Sequence, residues 1–595
     1  MTSSSHLYGR SSFFVRPMRI STTNSRSSSP RITIHIFRQA SSKAHRPSPY
    51  KFPSLCALRF GAFGAIFVSA VLGLGVSDST TTHTEDVKDE ETKSALQRTS
   101  TLPLLRSYLV WTLLGIPLLV NNSPSILDIL LHSSIPGISF ITETVVRSTF
   151  FAQFIPGETA KECAPILENL RTRNIGTALN YSAEADTVEN TDLTKLEEDR
   201  FREIERALNL QGDLEERMSQ QGWGKGSSAF ALKVTGLIDP DVVERASTTL
   251  HRIRSLHNQG AELNVPFPGC PSDADGLVLI PDSRSCLTEA KRYPKMVKKM
   301  EVTESESGIK SSDIEKLKLL WDRLDYLTDL AQRNGIRLIL DAEETYYQPA
   351  IDGYARLLCM KYNRPRDSQD KAWTGPVIYN SYQCYLIRQP EFLAASIQHA
   401  EDNGYSIGLK VVRGGYIVKE QAEWKASGKT SKGPIWADKS KTDECYNKSV
   451  NITLETLKTQ LASRDPQKAL SVIFGTHNTD SLSEIFDVLE RKELASRSSA
   501  GKLKLNKDVS GKVGIAQLYG MREDLSEKIH ATFEESKVPI SMIFIAYGRL
   551  REVLPFLGRR AIENKSLMSG GGGAAAERRR VGSEIRRRLT FGILE

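Results

Sequence analysis

Acidic residues are missing from the start of the chain: Met1 to Val76 holds no Asp or Glu, while nine arginines and lysines stand before residue 55 among many serines. That composition is the make-up of a mitochondrial transit peptide rather than of a folded segment, with a disordered basic tail as the alternative. Because this leader carries the basic excess, the net charge of +8 is no argument for nucleic-acid binding. Cysteine is scarce too, with seven in 595 residues and none at CxxC or CxxxC spacing. A disulfide framework or a zinc site therefore has no support, and a reducing compartment follows. Long apolar runs reduce to one, "FGAFGAIFVSAVLGLGV". It covers 60–76, and its 17 residues with four glycines reach only the lower limit for crossing a bilayer. A membrane anchor and a greasy continuation of the presequence both remain open. No HExxH, GxSxG or Walker-type loop occurs, which leaves metal-assisted and serine-triad hydrolysis without footing.

What is present has a rhythm. After an acidic, turn-rich linker, "SDSTTTHTEDVKDEETKS", apolar residues recur at helical spacing from Leu102 to Phe154. This predicts short helices broken at Pro117, Pro124, Pro136 and Pro156. Eight short apolar or β-branched runs follow, at 177–183, 230–236, 336–344, 376–382, 406–414, 470–478, 512–520 and 539–548. Most are continuous, as strands buried on both faces of a parallel sheet should be. Charged amphipathic stretches such as "IEKLKLLWDRLDYLTDLAQRNG" separate them, with a glycine where a helix should stop. Eight strand–helix units closing on themselves make a (βα)8, TIM-like barrel of the α/β class. An open doubly wound sheet is the alternative, but no GxGxxG follows any of these strands. "LNVPFPGCPSDADGLVLIPDSRSC", ahead of the third strand, reads as an inserted loop. The expected division is a transit peptide at 1–55, an apolar segment and acidic linker at 56–100, a helical region at 101–176, the barrel at 177–566 and a low-complexity basic tail at 567–595.

Chemistry in such barrels gathers where strands end. Those ends offer Lys233, Asp341 with Glu343 and Glu344, Gln383, Lys410 with Arg413 and Tyr416, Thr476 with His477, and Leu518 with Tyr519. The set is cationic and hydrogen-bonding, with few nucleophiles. A lone histidine is more often structural, but "GTHN" follows a buried run directly. Near the end stands "LPFLGRRAIENKS". Plotted as a helix, Leu550, Val553, Leu554, Leu557 and Ala561 share one side. Phe556, Arg559, Arg560 and Glu563 share the other. A solvated charged face is the plain reading of such a pair of arginines, but it need not display a Phe.

"FALKVTG", "LDAEE", "YQCYL", "LKVVRGGY", "THN", "QLYGM" and "GRRAIEN" occur in an order that resembles the proline dehydrogenase family, over roughly 177–566. The resemblance implies a distorted (βα)8 barrel and an FAD-dependent enzyme. Its activity would be oxidation of L-proline to Δ1-pyrroline-5-carboxylate, with electrons passed to a quinone at the matrix side of the mitochondrial inner membrane. By the same resemblance Gln383, Lys410, Arg413, Gly414, Gly415, Thr476 and His477 would hold the flavin. Glu563 is placed with that set, its carboxylate holding a guanidinium. Lys233, Asp341, Tyr416, Leu518, Arg559 and Arg560 would form the substrate side, the two arginines binding the proline carboxylate. The chain departs from the family at Lys410, where bacterial relatives carry arginine, and at Phe544 and Phe556, which stand in place of two tyrosines. The alternatives are a Schiff-base aldolase using Lys233 or Lys410, a hydroxyproline-directed dehydrogenase of the same family, and a non-catalytic membrane-associated scaffold.

Overall fold

The computed structural model describes 96–182, 192–257, 275–280, 308–365, 375–428, 433–463, 466–567 and 574–594, residue 98 excepted. The expected transit peptide, the apolar stretch at 60–76 and the acidic linker lie outside these residues. Among the described residues no helix is long and apolar enough to cross a membrane.

Among the described residues ten strands form: β1 (Gly176–Tyr181), β2 (Ser228–Leu232), β3 (Arg337–Leu340), β4 (Ile378–Gln383), β5 (Gly408–Val412), β6 (Ser471–Gly475), β7 (Ala495–Arg497), β8 (Leu503–Leu505), β9 (Val513–Leu518) and β10 (Ser541–Tyr547). Eight of them close into a parallel barrel in the order β1-β10-β9-β6-β5-β4-β3-β2. The expected eight runs supply these eight strands. Alternate residues explain why the runs are continuous. Ala178, Ala229, Ala231, Ile339, Tyr379, Ile473 and Met542 fill the inside, while Leu179, Phe230, Leu338 and Leu409 pack outward under the helices. The Ser311–Arg333 helix shows how that outer layer is made. It buries Leu317, Leu320, Leu324, Leu327 and Ala331 in one stripe and ends before Gly335, whose φ of +69° ordinary residues avoid.

Three features depart from expectation. Strands β7 and β8 form a small antiparallel hairpin outside the barrel. The inserted loop contains a buried helical turn, Asp275–Leu279. Leu279 seats against Gly353, where a Cβ would come within 2.6 Å of it, and Tyr354 donates to the Leu279 carbonyl at 3.2 Å. Pro124 does not break the N-terminal region: one helix runs through it, Pro117–Leu131. Proline removes the amide that would bond Val120 O, and the Ser123 hydroxyl donates to that carbonyl instead, at 2.9 Å.

The low-complexity tail is also a helix, Ala574–Leu594, packed along the Thr101–Leu114 helix. The helix after β10, Leu554–Leu567, begins with Pro555 in its first turn, where a missing N–H is tolerated. It packs with the N-terminal helices through Phe556, Leu557 and Ala561. Its Glu563 comes within 3.5 Å of where a Cβ on Gly415, beyond β5, would stand. The Leu554–Leu567 helix thus reaches over the mouth of the barrel.

Candidate active site

Three cations stand at this mouth against aromatic rings. Lys233, one residue past β2, donates to the Tyr416 hydroxyl at 3.0 Å. The Tyr416 ring has the Lys233 ammonium 5.7 Å from its centroid and the Arg559 guanidinium 5.2 Å from it. Both distances suit cation–π attraction. The Arg560 guanidinium lies 4.8 Å from the Phe556 centroid and donates to Glu563 at 2.5 Å. Phe556 belongs to both faces of its helix: it is buried among Leu550, Val553 and Leu557 while its ring supports the arginine. Burial raises the Glu563 carboxyl, and Arg560 and Arg559 oppose that rise.

A second set lies lower, at the ends of β1, β3, β4 and β5. Lys410 is ion-paired with Asp341 at 2.5 Å, and its ammonium sits 4.9 Å from the Phe544 centroid. Asn180, at the end of β1, donates to the other Asp341 oxygen at 3.1 Å and to Ala231 O at 2.9 Å. The Ser182 hydroxyl donates to the Asn180 amide oxygen. Asn180 was not among the expected site residues, although a lone amide inside "TALNYSA" is a signal that could have found it. Glu343 accepts from the Thr235 N–H at 3.1 Å and from the Thr235 hydroxyl. Its carboxyl is pushed up to about 7 by burial, with Lys233 and the Thr235 hydrogen bonds pulling the other way. Gln383 donates to the Glu343 carbonyl at 3.0 Å, tying β4 to β3.

The third group surrounds the ends of β5 and β6. Arg413 donates to Asp443 at 2.7 Å, Thr476 Oγ1 at 3.0 Å and Ser481 at 2.8 Å, and it stacks 4.4 Å from the Tyr446 centroid. Gly414 has φ +119°, and a Cβ there would lie 1.8 Å from a Tyr385 ring carbon, so no other residue fits. The Leu518 N–H donates to His477 Nε2 at 3.2 Å. That bond puts the ring proton on Nδ1, and Nδ1 is buried without a hydrogen-bond partner among the described residues. Burial, then Arg560 and Arg522, push the imidazole down to about 3, so it is neutral at any ordinary pH. The side chain of Leu518 packs against the cluster that holds Phe556 and Leu557.

The structure therefore brings the expected residues to one end of the barrel. It divides them into a cationic rim around Tyr416 and Phe556 and an ion-paired wall around Asp341 and Asp443. Among the described residues no group of His, Cys, Asp and Glu could hold a metal ion. Such a site can bind an anionic small molecule and orient it against a planar group. It offers no nucleophile with an attendant base.

A family model described as proline dehydrogenase matches residues 164–570, more than half of the chain. The chain belongs to the proline dehydrogenase family. Its fold is accordingly the barrel of a proline dehydrogenase, and the Ala574–Leu594 helix lies beyond the matched residues. Similar proteins include "Proline dehydrogenase 1, mitochondrial" of Dictyostelium discoideum, 24% identical over 84% of this chain and 75% of that protein. The Caenorhabditis elegans protein of the same name is 24% identical over 85% and 89%. The one from Homo sapiens is 30% identical over 42% and 36%. Among solved structures, proline utilization A from Bdellovibrio bacteriovorus inactivated by N-propargylglycine is similar at 14% identity and a TM-score of 0.47. The alignment covers 87% of this chain and 42% of that longer one.

Proposed function

We propose that this chain is a mitochondrial, FAD-dependent enzyme that oxidises L-proline to Δ1-pyrroline-5-carboxylate and passes the electrons to a quinone. The mitochondrial assignment rests on the leader composition and on the names of the relatives. The observation that carries the chemistry is the placement of Lys233, Arg559 and Arg560 on aromatic rings at the barrel mouth.

The residues fit a flavin on two counts. His477 Nδ1–H is a buried donor without a partner among the described residues, and Gly414 leaves the backbone bare where β5 ends. Gln383, Lys410, Thr476 and His477 would hold the cofactor. Arg413, engaged by Asp443, Thr476 and Ser481, would fix that wall from behind. Bound FAD would supply the two-electron acceptor for the ring carbon next to nitrogen. The chain supplies position and charge. Arg559 and Arg560, with Lys233, bind the carboxylate of proline through charge-assisted hydrogen bonds. Phe544, Phe556 and Leu518 exclude water from the ring. His477 stays neutral, so it donates one hydrogen bond and carries no proton to or from substrate.

The aldolase alternative is disfavoured for Lys410 because its ammonium is ion-paired with Asp341. A Schiff-base lysine needs a neutral, available amine. The test is an absorption spectrum of the full chain reconstituted with FAD, before and after L-proline. A flavin band that bleaches supports the reading. A featureless spectrum after reconstitution overturns it.

A further inference from the structure

The Ala574–Leu594 helix lies beyond the residues matched by the family model, yet it is tied into the molecule at both ends. At its far end the Arg588 guanidinium donates to Leu96 O at 2.9 Å, Thr99 O at 2.7 Å and Thr101 Oγ1 at 3.2 Å. Val581 packs with Leu96 and Leu104. At its near end Ala574 is buried in the cluster that holds Phe556 and Met521. There Glu577, 4% exposed, pairs with Arg580 at 3.0 Å and lies 3.9 Å from Arg522.

Arg522 leads back to the site. It clamps Asp524 with two bonds of 2.8 and 2.7 Å. Its remaining N–H groups donate to the His477 carbonyl and to Thr479 Oγ1, both at 3.3 Å. Two acids and two arginines, Asp524, Glu577, Arg522 and Arg580, thus form one partly buried network between the C-terminal helix and the His477 turn. Replacing buried ion pairs by apolar residues often stabilises a protein, so stability alone does not account for them. What they supply is direction: the planar fork of Arg522 holds the backbone of His477, while the Leu518 N–H holds its ring.

We propose that the C-terminal helix is a clasp on the cofactor side of the site, in which Glu577 and Arg580 are positioning residues that act through Arg522 on the His477 turn. This rests on the reading of His477 as a flavin donor.

The test compares the full-length protein with Glu577→Gln, Glu577→Asp and Arg580→Met. Arg587→Met, whose guanidinium pairs with Glu584 on the same helix, is the control. FAD affinity is measured by fluorescence of the released flavin, and thermal midpoints are taken with and without FAD. Networks of this kind modulate a coupled site by roughly 3- to 30-fold. The expected result is that loss of FAD affinity in Glu577→Gln and Arg580→Met, with partial rescue in Glu577→Asp and none of it in Arg587→Met. The midpoint gained on adding FAD should shrink in the two affected variants. Unchanged FAD affinity in both overturns the clasp, as does an equal fall of the midpoints with and without FAD, which marks plain packing. Failure of the unsubstituted protein to bind FAD overturns the cofactor reading itself, and the clasp with it.

Discussion

The two sets of cations at the barrel mouth all rest on aromatic rings but lean on carboxylates to different degrees. Lys410 and Arg413 are locked by carboxylates, Asp341 at 2.5 Å and Asp443 at 2.7 Å, with the Phe544 and Tyr446 rings behind them. Lys233 and Arg559 flank one tyrosine ring, and Arg560 rests on a phenylalanine with Glu563 beside it. A carboxylate neutralises a cation and fixes it. An aromatic face supports a cation and leaves its charge available to a ligand. The first arrangement suits a wall that must not move. The second suits a rim that must take up an anion.

The sharpest way to break this contrast is to strip a carboxylate from the wall. Asp341→Ala leaves Lys410 without its ion-pair partner in a buried setting, which costs about 3–5 kcal/mol in comparable pairs. Denaturant unfolding should show a loss of that order together with weakened FAD binding. Loss of activity at full stability would mean that the pair serves chemistry and not rigidity.

The rim should respond differently. Arg559→Met and Arg560→Met should each raise the KM for proline roughly 10- to 150-fold while FAD stays bound, since a hydrogen bond to a charged group is worth about 1.5–3 kcal/mol. Steady-state kinetics with a dye acceptor checks this. Release of flavin in these variants would move both arginines to the cofactor wall.

Acidity sharpens the comparison further. His477 titrates near 3 in the fold because burial and two arginines oppose its charge, against about 6.5 when unfolded. The unfolded chain therefore binds the extra proton first, and stability contributed by the neutral ring is lost as pH falls from about 6.5 toward 3, by about 1.4 kcal/mol per unit. Glu343 runs the other way. Its carboxyl is held up to about 7, so its share of stability is present at low pH and is lost as pH rises from about 4.3 through 7. Unfolding measured against pH in His477→Gln should lose the acid-side slope, and in Glu343→Gln the opposing slope between those values.

The smallest effect concerns the rings themselves. Phe544 lies under the Lys410 ammonium and Phe556 under Arg560. Without a phenolic hydroxyl, the pocket should discriminate less sharply against 4-hydroxyproline, and an apolar pocket rejects an added hydroxyl by about 100-fold at best. Phe544→Tyr or Phe556→Tyr should raise the ratio of kcat/KM for proline over 4-hydroxyproline. No change in either would make both rings plain packing.

The barrel was legible because strands buried on both faces leave continuous apolar runs, and the strand ends then named the mouth. The β7–β8 hairpin was not, since three-residue strands are too short to show a period. The C-terminal helix was not, because arginine runs beside glycine and alanine give no apolar stripe until the Thr101–Leu114 helix packs against them. Pro124 misled, because the rescue of Val120 O by Ser123 is local chemistry that no periodicity reports. Pairings such as Lys410 with Asp341, or Arg522 with the His477 carbonyl, join residues 69 and 45 positions apart and exist only once the barrel closes.

The central claim, that the rim cations select a carboxylate beside the flavin, meets its most direct test in anaerobic mixing of the FAD-loaded protein with L-proline and with pyrrolidine, which has the ring but no carboxylate. Proline should bleach the flavin band rapidly, pyrrolidine at the same concentration should leave it intact, and Arg560→Met should narrow the gap. Equal bleaching by both compounds would contradict the account.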